Sequence, residues 1–144
     1  MMMTRFRQGF MMGLVLVMLA GCARDFNKDM ETLKRSFDDQ RTAVELRNPE
    51  DFVRSMSAMV TAMQNTMKAV DAMPAEKQGG AATEFAKIGD VGEKLYYSAD
   101  FRSFFDSRLE GTKYGKQVER LRNKMKSTGL ADWLKAKQAA GATQ

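Results

Sequence analysis

The chain contains no histidine, one cysteine and two prolines in 144 residues. Without histidine, a Cys/His zinc site, a Ser-His-Asp or Cys-His nucleophile and a histidine general base cannot be built from this chain alone. A single cysteine permits no internal disulfide. Scarce proline and a moderately apolar, Met-rich composition favour helix over a turn-rich β fold. The length allows one domain with a real core and no second sizeable one. Adjacent carboxylates occur at Asp38/Asp39 and Glu50/Asp51, but neighbours on a helix point in different directions and form no acid/base pair. "GDVG", residues 89 to 92, is too weak for a phosphate loop. The chain is not expected to be an enzyme.

What is present begins with a targeting pattern. Arg5 and Arg7 give a basic start, Phe10 to Ala20 form an apolar run broken only by Gly13, and Ala20 and Gly21 are small. That run falls short of the roughly 20 residues a spanning helix needs. "LAGC", Leu19 to Cys22, resembles a bacterial lipobox. The likeness implies cleavage before Cys22, lipidation of its thiol, and a mature chain of residues 22–144 after a signal peptide of residues 1–21. Two or three acyl chains make such an anchor stable, where one does not. Ala23, in place of an Asp, implies the outer membrane, with the domain facing the periplasm. Loss of the leader leaves 21 basic against 18 acidic residues, a balance of +3 that is too mild to argue for nucleic acid.

From Phe26 the apolar positions Phe26, Met30, Leu33, Phe37 and Val44, with Gln40 in the gap, follow helical spacing. "RNPED" then supplies Asn48 as N-cap, Pro49 at the first helical position and two carboxylates in the first turn of the next helix. The second helix carries Phe52, Met56, Met59, Met63, Met67, Val70 and Met73 and ends at Pro74. "PAEKQGGAA" reads as a loop. A third helix starts near Ala82 with Phe85, Ile88, Leu95 and Ala99 on one face, weakened by Gly89 and Gly92. A kink is expected near "SADF", residues 98 to 101, with Ser98 or Asp100 capping a restart. "EGTKYG", residues 110 to 115, is the next loop. The fourth helix aligns Val118, Leu121 and Met125 and stops at Gly129. Trp133 and Leu134 fold back on the bundle end, before a mobile tail of about residues 138–144.

The expected fold is therefore all-α, an antiparallel up-down-up-down four-helix bundle with a kinked third helix. "KDMETLKRSF", residues 28 to 37, the break "RNPEDF" and the Met-rich "SMSAMVTAMQNTMKAV" resemble the cytochrome b562 family of periplasmic bundles. The likeness is best over residues 25 to 75. It implies haem b at one end of the bundle, held by an early Met and a late His. Met30 stands at the family's Met position. The His has no counterpart, because the last helix reads "RNKMKSTG" at residues 122 to 129, so the family's His/Met ligation cannot form.

Three further candidates come from the residues themselves. Met30 and Met125 lie at the same end of an up-down bundle, where they are either two thioether ligands of a haem or gap-filling core residues. Met56, Met59, Met63 and Met67 share one face, which suits Cu(I) and burial alike. Tyr96, Tyr97, Phe101, Phe104 and Phe105 are a candidate partner surface if exposed and core if turned inward. Lys113, Lys116, Arg120, Arg122, Lys124 and Lys126, against Glu119 alone, form a basic face that is either solvated or turned to anionic headgroups or an acidic partner.

The leading expectation is a membrane-anchored periplasmic lipoprotein that acts as a binding or structural module, with no cofactor. The alternatives are a haem b electron carrier with altered ligands, and an accessory lipoprotein docked on an envelope assembly.

Overall fold

A computed structural model describes residues 25–142, and among them there are helices and turns but no strand. Helix α1 covers residues 25–45. Its inward stripe is the expected one: Met30, Leu33, Phe37, Gln40 and Val44 are all buried. The helix closes with Arg47 at φ 55°, while the Asn48 amide donates to the Ala43 carbonyl at 2.9 Å. A left-handed residue at this position satisfies carbonyls that the last turn leaves unpaired.

Helix α2 spans Pro49–Asp71. Asn48 Oδ1 accepts from the Asp51 amide at 3.1 Å, as the capping pattern predicts. Phe52, Met56, Met59, Val60, Met63, Met67 and Val70 are buried along one side.

Helix α3 spans Ala75–Tyr96 and absorbs the stretch expected to be a loop, "PAEKQGGAA". Tertiary packing overrides the poor propensity of Gly79 and Gly80. Helix α6, Leu130–Ala142, lies along α3, and a Cβ on Gly79 would sit 2.7 Å from the Cα of Gly141. Two glycines let the backbones approach. Lys137 Nζ, also on α6, donates to Gln78 Oε1 and meets Asp71 Oδ1, each at 2.8 Å. The described chain therefore has a further 13-residue helix where a short piece and a tail were expected. Residues 138–142 continue it, and residues 143 and 144 lie outside the described residues.

Beyond α3 the helix is interrupted twice. Ser98 Oγ accepts from the Phe101 amide at 3.2 Å and starts α4, Ala99–Phe104. A π-helical turn, Phe105–Leu109, follows, closed by the Glu110 amide on the Phe105 carbonyl at 2.8 Å. Leu109 ends that turn, and both Phe104 and Leu109 are fully buried whereas Arg108 is exposed. Sequence periodicity of 3.6 could not register that insertion. The following loop is shorter than expected: Gly111 takes φ 76°, Thr112 caps the Gly115 amide, and α5 spans Lys113–Ser127. Gly129, at φ 65°, separates α5 from α6.

The core joins α1, α2, α3, α4 and α5. At one place it is aromatic: Phe52 packs against Phe101 and Phe104 with ring centroids 5.7 and 5.4 Å apart. No described helix is long and apolar enough to cross a membrane.

Candidate functional site

Away from that aromatic cluster, the same helices leave a space unfilled. The stripe of α2 places Met59 and Met63 opposite Leu33 and Phe37 of α1, with Phe85 of α3, Met125 of α5, and Leu130 and Leu134 of α6 completing the wall. With their neighbours they line a half-open cavity of about 500 Å³. A cavity of this size that is lined mainly by apolar side chains falls within the range of small-molecule sites.

Its polar contacts are few and ordered. The Tyr96 hydroxyl donates to Gln40 Oε1, and Gln40 Nε2 donates to Met59 Sδ at 3.4 Å. Gln40 is fully buried, and among the described residues no buried side-chain nitrogen or oxygen lacks a partner. Burial pushes the Tyr96 phenol well above its ordinary pKa, partly offset by the hydrogen bond to Gln40, so it stays protonated as a donor. The charged residues bordering the cavity are Asp90 and Glu93, both exposed on α3.

The expected site residues fall in different places. Cys22 lies outside the described residues. Met30 is buried in α1 but does not border the cavity, whereas the half-buried Met125 does. The two thioethers therefore do not line this cavity together, and the chain has no histidine to complete the ligand pair that the resemblance implies. Met56, Met59, Met63 and Met67 are all buried core residues, of which only Met59 and Met63 border the cavity. Met59 already accepts a hydrogen bond, and its sulfur is not a free soft ligand. Among the described residues no group of three or more Cys, Asp or Glu gathers to hold a metal.

The five aromatic residues of the candidate partner surface divide by burial. Phe101 and Phe104 are core, turned inward onto Phe52. Tyr96 and Phe105 pack against the same core, Tyr96 edge-on to Phe101 at 5.3 Å. Tyr97 alone is open, at 82% exposure. The Ser98 restart turns the α4 rings inward, an arrangement residue types alone did not decide. On α5, Lys113, Lys116, Arg120, Arg122, Lys124 and Lys126 are exposed, and among the described residues no ion pair engages them.

Sequence reasoning missed Gly89, Asp90, Glu93, Leu130 and Leu134 as parts of one site. The available signal was Gly89, an isolated glycine inside a helical pattern, which costs about 1 kcal/mol relative to alanine. No family model, curated protein or solved structure matches this chain.

Proposed function

We propose that the protein is a lipid-anchored envelope module whose helical domain binds an apolar molecule and carries out no chemistry on it. In this reading Cys22 tethers the chain to the outer membrane, and the domain faces the periplasm. An up-down-up-down arrangement of α1, α2, α3 and α5 belongs to the same proposal, with α4 as the kinked continuation of α3. Short connections at residues 46–48 and 72–74 support it, since such links favour antiparallel neighbours.

The cavity bordered by Met59, Met63 and Met125 carries the functional reading. Methionine side chains are flexible and polarizable, and suit a wall that must adapt to ligands of differing shape. The absence of histidine from the chain agrees with binding rather than acid/base or nucleophilic work.

The test uses residues 22–144 with Cys22→Ser, which contain every described helix, titrated with the neutral dye N-phenyl-1-naphthylamine. Saturable fluorescence enhancement is expected, weakened at least tenfold by Gly89→Leu, which puts a side chain at the cavity mouth. Absence of saturable binding contradicts the proposal. A parallel haem titration is expected to give no sharp ferrous bands; bands abolished by Met30→Ala would restore the electron-carrier alternative.

A further inference from the structure

The glycines of α3 differ in what their missing side chains achieve. Gly79 admits the backbone of α6, and a Cβ on Gly92 would fall inside the Phe37 ring. Gly80 and Gly89 serve neither purpose, since an added Cβ at either meets nothing within 4 Å, but of the two only Gly89 borders the cavity. A glycine inside a helix is destabilising by roughly 0.5–1 kcal/mol relative to alanine, so this one costs stability without easing any packing. Gly89 borders the cavity beside Asp90, with Glu93 one turn further along α3. With no side chain at Gly89, that edge of the cavity is open where the only bordering charges among the described residues, both negative, are found. Arg122 lies close enough to Tyr96 to act on its hydroxyl, but it does not border the cavity.

An apolar chamber with two carboxylates at its entrance matches an amphiphile with one end of each kind. Resting on the binding reading above, we infer that the site takes a ligand with an apolar body and a cationic head, such as an alkylammonium. The apolar body lies among Met59, Met63, Phe85 and Leu134, and the head stays at the mouth near Asp90 and Glu93. An anionic amphiphile of the same length meets the same apolar wall and the wrong sign of charge at the rim. Complementary charge at a rim acts chiefly through partner selection, and like charges suppress the wrong partner.

The reporter is built in: Trp133 is the single tryptophan, and its ring meets Phe85 of the cavity wall edge-on at 6.0 Å. Octylammonium, octanol and octanoate are titrated into residues 22–144 carrying Cys22→Ser, followed by Trp133 fluorescence at low salt. Octylammonium is expected to bind at least about tenfold more tightly than octanoate, with octanol between them. Asp90→Asn with Glu93→Gln should erase that order by weakening octylammonium and strengthening octanoate; both positions are exposed, and thermal unfolding checks that the fold is kept. Gly89→Leu should weaken all three. Equal binding of the three probes overturns the cation assignment and leaves the cavity reading standing. Octylammonium binding that survives Gly89→Leu also overturns it, because the carboxylates then act as surface charges apart from the chamber. Failure of every probe to bind removes the cavity reading along with the inference.

Discussion

Helix α2 buries a single stripe along its length, yet its two stretches pack differently. At the N-terminal stretch Phe52 is fully buried and interlocks with Phe101 and Phe104. Further along, Met59 and Met63 are almost as inaccessible but border a space of about 500 Å³. Burial alone therefore does not distinguish a filled core from the wall of a chamber. Rigid rings with fixed shapes close one region. Flexible thioethers, together with a glycine in the facing helix, leave the other open.

The sharpest way to break this comparison is to truncate one residue in each stretch. Phe52→Ala should destabilise the domain by about 3–5 kcal/mol, because tightly packed rings cannot collapse into the hole. Met63→Ala should cost about 2 kcal/mol, at the low end for such truncations, since part of its surroundings is already empty. Denaturant unfolding measures both; equal losses would mean that the two stretches are equally packed.

A smaller effect separates the glycines of α3. Gly92→Ala is expected to destabilise by about 1–3 kcal/mol, through a Cβ forced into the Phe37 ring. Gly89→Ala should stabilise by about 0.5–1 kcal/mol, since open space and ordinary helical geometry accept the methyl. Opposite signs in one denaturation series support the account, and a shared sign contradicts it.

The smallest expected effect lies at the junction of α2 with α6. Burial would raise the Asp71 carboxyl, but the Lys137 ammonium and the hydrogen bond from Trp133 Nε1 at 3.0 Å outweigh it, leaving its pKa below the ordinary 3.8. A depressed native pKa stabilises the fold above pH 3.8, and that contribution is lost as pH falls through the lower native value. Asp71 is half-exposed, so the contribution should be well under about 1 kcal/mol. Comparing the parent with Asp71→Asn at pH 6 and pH 2 by thermal unfolding should show a small gap at the higher pH that closes at the lower.

Much of the fold was legible because it obeys local rules. The stripes of α1 and α2 follow helical spacing, and Asn48, Pro49, Ser98 and Gly129 mark boundaries through known capping chemistry. What stayed hidden depended on distant partners. The first turns of α3 form where α6 covers Gly79, and "LADWLKAKQAAGA" carries no strong apolar stripe to announce that helix. The π turn carries Leu109 into the core, where it is fully buried. The candidate site was the least legible part. Periodicity identifies Met59, Met63 and Met125 as inward positions, but whether their neighbours fill the intervening space depends on three other helices. The same limit applies to Met30 and Met125, both of which spacing marks as inward positions while only Met125 borders the cavity.

The most direct test labels the methionine methyl groups of residues 22–144, carrying Cys22→Ser, with carbon-13 and follows them by NMR during titration with neutral octanol. Seven methionines remain in that chain. The account predicts saturable shifts at Met59, Met63 and Met125, with Met30 and Met73 unmoved. Absence of saturable shifts, or uniform shifts across all seven, would contradict an open chamber in the Met-lined half of the core.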